Sequence, residues 1–179
     1  MTLPRIGAVS YLNTKPLVYG LDSLADQCSV QYDLPSRLAD RLAAGELDVA
    51  LIPSIEATTN PNYTIVSDAC IGCRGPVWSV KLLSKKEPED IKTLALDEGS
   101  RTSAALTKII LAEKYSARPD LQQLGINDDW RTVNTDAVLV IGDRAMSAEH
   151  QPFQYAWDLG EAWHDWTGLP FVFCDVDCE

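Results

Sequence analysis

The stretch Arg5-Ile-Gly-Ala-Val-Ser-Tyr-Leu-Asn-Thr-Lys-Pro-Leu17 decides the fold of this chain. Ile6 to Val9 is a short apolar run of the kind that forms a strand covered on both faces. Ser10, Asn13 and Thr14 follow as a polar tip, and Pro16 stands where a first helical turn accepts proline. Such a unit aims amides, hydroxyls and free backbone N–H groups beyond the strand end, an arrangement suited to a small anion.

The following residues continue the pattern. A short helix is expected over Leu17 to Leu24 and a strand over Cys28 to Tyr32. Pro35 opens a helix whose Leu34, Leu38 and Leu42 share one face, with Gly45 placed to end it. Asp48-Val-Ala-Leu-Ile52 completes a β-α-β-α-β series, which predicts an α/β fold with a mostly parallel sheet and right-handed crossovers. Ser54 and Glu56 come just past that strand, where open parallel sheets bind ligands, although a helix cap serves Ser54 equally well. Tyr63 to Val66 reads as a further short strand and Cys70 to Pro76 as a glycine-containing loop. Val77 to Leu83 reads as a strand crossing into a second lobe, which brings Ser79 close to a cleft.

After the charged segment Ser84 to Asp90, the strand–turn–helix pattern starts again. Thr93 to Leu96 reads as a strand, Asp97 to Ser103 as a polar turn and Ala104 to Tyr115 as a helix, with Leu106, Ile109 and Ile110 on its buried face. Gly99 permits a tight turn, and Ser100, Arg101, Thr102 and Ser103 crowd the helix start. A cap needs one hydroxyl, so three hydroxyls with an arginine favour an anion site. The spacing is not that of a Walker loop. Asp136 to Ile141 is the most apolar strand, and Asp143 after it is either a cap or a cleft residue. Tyr155 to Asp158 reads as a strand, Leu159 to Trp166 as a helix, and Gly168 to Phe173 as a returning strand. The acidic ending Cys174 to Glu179 suggests a truncated chain. The division is lobe 1 over 1–83, lobe 2 over 84–168 and a return strand over 169–179.

Composition narrows the partners. The 179 residues are 46% hydrophobic and 23% charged with a net charge of −11, a globular balance that disfavours nucleic acid and anionic membranes. No secretory signal or membrane-length apolar run is present, so a cytoplasmic location is expected. The five cysteines, an odd number without a signal, read as reduced thiols in preference to a zinc site built from Cys70-x-x-Cys73 and Cys174-x-x-x-Cys178. No metal and no cofactor are predicted.

Acid–base groups are few. His150 and His164 lie in polar segments and read as exposed, no triad or H-E-x-x-H spacing occurs, and nothing marks Lys15 as a base with a lowered pKa. The residues alone leave open a binding protein or an enzyme whose substrate supplies part of the chemistry.

The segments Ile6 to Leu17, Asp48 to Ser54, Gly75-Pro-Val-Trp-Ser79, Ser100 to Ser103, Ala137 to Asp143, Asp158-Leu-Gly160 and Thr167 to Phe173 together resemble the chorismate dehydratase family of the futalosine route to menaquinone. That resemblance implies a periplasmic-binding-protein-like fold of type II, two lobes with a ligand cleft between them. It implies loss of water from chorismate to give 3-[(1-carboxyvinyl)oxy]benzoate, with the substrate's own carboxylate taking the ring proton. It assigns Asn13 to the reacting part of the substrate and Ser79, Ser100, Thr102 and Ser103 to its carboxylates. Ser10, Ser54, Arg101 and Asp143 complete the expected binding set. The partners are a small dicarboxylate and, as an option, a second copy of the chain, since the family continues past the Phe-Val-Phe strand. The other readings are a non-catalytic solute-binding protein for a small carboxylate and the sister enzyme acting on cyclic dehypoxanthinyl futalosine.

Overall fold

A computed structural model of the protein describes residues 3–146 and 152–178. The chain forms two compact units, 1–72 with 172–179 and 73–171. Each has a five-stranded sheet.

In the first unit, β1 (Arg5–Val9) is followed by a 3-10 turn (Leu12–Thr14) and the short helix α1 (Lys15–Val18) with proline in its first turn. A second 3-10 turn (Leu21–Leu24) completes the stretch expected to be one helix; Gly20, at φ 87°, breaks it in two. Then come β2 (Ser29–Asp33), α2 (Pro35–Ala43), β3 (Val49–Pro53), α3 (Ile55–Thr59) and β4 (Thr64–Cys73). The last strand of the chain, β10 (Phe171–Cys178), joins this sheet, whose order is β2-β1-β3-β10-β4. β1 runs parallel to β2 and β3, and β10 is antiparallel to β3. Arg5 pins the start of β1 to Asp48, donating from its backbone N at 2.7 Å and from its guanidinium at 2.9–3.0 Å. That contact holds the Asp48 carboxyl down to about 2.

Leu38, Ala39 and Leu42 of α2 pack on Val9, Ala50 and Ile52. The approach is close: a side chain at Gly7 would meet Leu47, Ala50 and Leu38 at 2.7–2.9 Å, so only glycine fits there. Ile6, Ala8, Val49, Leu51 and Val176 instead line a mostly apolar cavity of about 200 Å³, bordered by Thr14, Leu17 and Leu21.

The second unit contains β5 (Val80–Ser84), β6 (Thr93–Asp97), α4 (Arg101–Tyr115), β7 (Asp120–Leu124), β8 (Ala137–Ile141), β9 (Tyr155–Asp158) and α5 (Leu159–Thr167). Its order, β7-β6-β8-β5-β9, repeats the plan of the first sheet. Three strands are parallel, and the fourth, β5, is antiparallel to its neighbour β8 and to the edge strand β9. All five residues of β8 are buried, as its apolar run requires.

The structure corrects several expectations. The strand after Pro76 begins at Val80 and pairs only within the second sheet, so residues 77–83 do not belong with the first lobe. β4 extends through Cys70–Cys73, where a loop was expected, and β10 extends through the acidic ending. α4 starts at Arg101 instead of Ala104, because Ser100 caps it. Ile109 is exposed, and the buried stripe of α4 runs through Ser103, Leu106, Thr107, Ile110 and Leu111. β7, with Gln122 and Gln123 in a largely exposed edge strand, carries too little apolar pattern to be read from sequence.

Candidate functional site

In the first unit, the ends of the parallel strands β1 and β3 bring the polar tip and Ser54 to one side of the sheet. Ser10 is exposed and held by its backbone N donating to Asp33 O at 3.1 Å. Asn13 is half-buried. Its Oδ1 is buried without a hydrogen-bond partner among the described residues, and so is Oγ1 of the fully buried Thr14. Buried polar atoms are normally satisfied, so an unused amide acceptor after the end of β1 makes Asn13 a candidate ligand contact. Ser54 occupies the N-cap position of α3 but does not cap it. Its hydroxyl donates to Val172 O at 2.7 Å and ties β3 to β10. Lys15 is exposed.

In the second unit, the ends of β6 and β8 gather the remaining candidates. Ser100 caps α4: its Oγ accepts from Ser103 N at 3.2 Å and donates to Ser103 Oγ at 2.7 Å. This leaves the Ser103 hydroxyl proton to be donated elsewhere, beside the positive end of a fifteen-residue helix. Ser100, Thr102 and Ser103 are buried, whereas Arg101 is exposed and lines an open groove with Glu98, Gln122 and Gln123. Ser79 is 6% exposed; its carbonyl accepts from Gly142 N at 2.8 Å, which sets it beside the exposed Asp143.

Asp97 and Arg144 underlie this cluster of the second unit, and the sequence reading gave neither a role. The Asp97 carboxylate accepts from Gly99 N (2.9 Å), Ile141 N (3.2 Å) and Arg144 Nη2 (2.5 Å). Arg144 Nη1 also donates to Ile126 O at 3.0 Å. Burial pushes the Asp97 carboxyl up, and the guanidinium and the two N–H groups pull it back. The pair fixes the 97–100 turn against the end of β8.

Asp158 was likewise given no role of its own, although an Asp directly before Leu159-Gly160 is a helix-start signature. It caps α5 through Gly160 N and Glu161 N. His164 is half-buried with Nδ1 3.3 Å from Leu169 O, and His150 lies outside the described residues. Along a strand, residues three apart point to opposite faces, so Cys70 and Cys73 of β4 do not form a metal knuckle. All five cysteines are free thiols, and among the described residues no group of three or more His, Cys, Asp or Glu is placed to hold a metal. No helix among the described residues is long and apolar enough to cross a membrane.

A protein family described as menaquinone biosynthesis matches residues 4–175. The chain belongs to that family. Among curated relatives, it is 28% identical over 186 residues to a chorismate dehydratase of Thermus thermophilus, covering 94% of this chain and 67% of the relative. A chorismate dehydratase of Campylobacter jejuni is 28% identical over 179 residues, covering 96% of this chain and 66% of the relative. The chain thus spans about two thirds of the length of these relatives. A crystal structure of an Archaeoglobus fulgidus protein superposes with a TM-score of 0.70 at 16% identity, over 97% of this chain and 67% of that one. The periplasmic aliphatic sulphonate binding protein of Escherichia coli superposes with a TM-score of 0.56 at 14% identity, over 99% of this chain and 65% of that one. The fold is therefore periplasmic-binding-protein-like α/β, as the motif resemblance implied.

Proposed function

We propose that this chain carries the substrate-binding residues of a chorismate dehydratase, which eliminates water from chorismate to give 3-[(1-carboxyvinyl)oxy]benzoate on the futalosine route to menaquinone. The observation that carries the reading is Asn13. Its amide oxygen is buried and unpartnered at the end of β1, in a chain of the menaquinone biosynthesis family whose curated relatives include two named chorismate dehydratases.

In this reading the ring proton beside the ether passes to the substrate's own carboxylate. The C–H electron pair becomes the last ring double bond, and the C–O bond to the hydroxyl breaks. That oxygen takes up the proton held by the carboxylate and leaves as water, and the ring becomes aromatic. The protein's task is orientation and hydrogen bonding, which lower a barrier by holding reacting groups in place. Asn13 engages the hydroxyl that leaves. Ser79 and the Ser100–Ser103 helix start hold carboxylate, and the Asp97–Arg144 pair keeps that turn in shape. Ser10, Ser54, Arg101 and Asp143 are assigned to the periphery, with Ser54 acting through its bond to Val172.

Incubating the protein separately with chorismate and with cyclic dehypoxanthinyl futalosine, followed by chromatography, tests this reading. The expected result is an aromatic ether from chorismate alone. Asn13→Ala should reduce that turnover at least 100-fold with an unchanged circular dichroism spectrum. Binding of chorismate without product would favour a solute-binding protein, and conversion of the larger substrate would favour the sister enzyme.

A further inference from the structure

Trp78 has φ 67°, one of two non-glycine residues at positive φ among the described residues. For a bulky side chain this is an outlier that the surroundings must enforce. The enforcing group is the Asp158 carboxylate. Oδ2 accepts from Trp78 N at 2.6 Å, and Oδ1 accepts from Val77 N at 2.9 Å. The same Oδ1 accepts from Gly160 N at 3.0 Å and Glu161 N at 3.2 Å, so one carboxylate ties the Val77–Trp78 turn to the start of α5. The seat is tight. A Cβ at Gly160 would lie 2.5 Å from Cys73 Sγ and 2.6 Å from Gly75 O.

The strained turn has a consequence for its neighbour. Ser79 N donates to Val77 O at 2.8 Å, while Ser79 Oγ reaches that same carbonyl only at 3.5 Å. The turn therefore consumes the Ser79 backbone and leaves its hydroxyl close to unused. It also leaves the Trp78 indole exposed, over a cleft of about 450 Å³ lined by Pro76, Lys81, Met146 and Glu161.

We propose that Asp158 is a positioning residue that holds Trp78 at positive φ and thereby presents the Ser79 hydroxyl to the substrate carboxylate. This deepens the functional reading above and rests on it. The helix cap alone would not need the two bonds to Val77 and Trp78. A capping Asp is satisfied by the helix N–H groups, which Asp158 already holds.

The test uses a rescue that a cap cannot mimic. Glycine adopts positive φ without strain, so Trp78→Gly removes the need for Asp158 in the turn while leaving the cap of α5 untouched. Chorismate affinity is measured by calorimetry for wild type, Asp158→Ala, Trp78→Gly and the double variant, together with thermal midpoints. Amide exchange is followed by mass spectrometry over residues 74–82. Asp158→Ala should weaken binding at least 10-fold, lower the midpoint and speed exchange at Val77 and Trp78. The double variant should bind within threefold of Trp78→Gly while its midpoint stays low.

Double-variant binding as weak as that of Asp158→Ala overturns the proposal. So does wild-type affinity in Asp158→Ala, which would leave the functional reading intact. Absence of chorismate binding in wild type, with exchange over 74–82 still slow, overturns both readings while showing that the clamp forms.

Discussion

Asp97 in the second unit and Asp177 in the first are both buried aspartates on sheet strands, 3% and 0% exposed. Asp97 receives a guanidinium and two backbone N–H groups. Neither oxygen of Asp177 has an N–H or cationic partner among the described residues, and burial, then the hydrogen bond and repulsion shared with the neighbouring Asp175 carboxyl, push its pKa up to about 7. The two sheets share one strand plan, so the difference lies in the side chains that meet each acid. The second unit pairs its buried charge. In the first, the acidic strand β10 takes the place next to β3 at an electrostatic cost.

The largest effect should come from Arg144→Ala. It strands the Asp97 carboxylate in a dry site, and losing one partner of a buried ion pair costs about 3–5 kcal/mol. Urea unfolding at neutral pH should show a loss of that size for the transition of the second unit, partly recovered when Asp97→Asn is added. A loss below about 1 kcal/mol, the range of exposed pairs, would erase the contrast between the units.

Asp177 gives the next effect, and its sign is opposite to that of a paired acid. Its folded pKa of about 7 stands above the ordinary 3.8, so the folded form keeps a proton that the unfolded chain has released. Stability of the first unit should be full below that ordinary value, fall as pH rises toward 7 and level off above it. Thermal midpoints at pH 5 and pH 8 should differ by several degrees with pH 5 higher. Asp177→Val should remove most of that dependence and raise the pH 8 midpoint. Equal midpoints in wild type would refute the uncompensated charge.

The smallest effect is at the start of α4. Ser100→Ala removes the α4 cap and should cost about 1 kcal/mol. Chorismate affinity should fall by a larger factor than that stability loss explains, since the Ser103 hydroxyl loses its partner. Unchanged affinity would reduce Ser100 to a cap.

Much of this architecture was legible because apolar periodicity and helix signals are local. Ile6–Val9, Val49–Ile52 and Ala137–Ile141 read directly as buried strands, and Pro16 and Pro35 marked helix starts. What escaped was non-local. The Asp97–Arg144 bond spans 47 residues and the Trp78–Asp158 bond 80, and no local pattern announces either. The positive φ of Trp78 was hidden for the same reason, since sequence rules expect glycine there. The strand was read as ending at Phe173 because the two inward aspartates of the acidic ending break the apolar alternation that marks a strand. Ser54 followed the rule for caps and spent its hydroxyl on another strand instead.

The central claim is that the chain's polar strand ends serve an elimination in which the substrate supplies the base. Proton NMR of chorismate mixed with the folded protein at neutral pH tests it most directly. The account predicts loss of the ring signals of the two sp³ carbons, growth of aromatic signals with the vinyl protons retained, and no such change with Asn13→Ala. Persistence of chorismate with the wild-type protein, shown to be folded by circular dichroism, would contradict it.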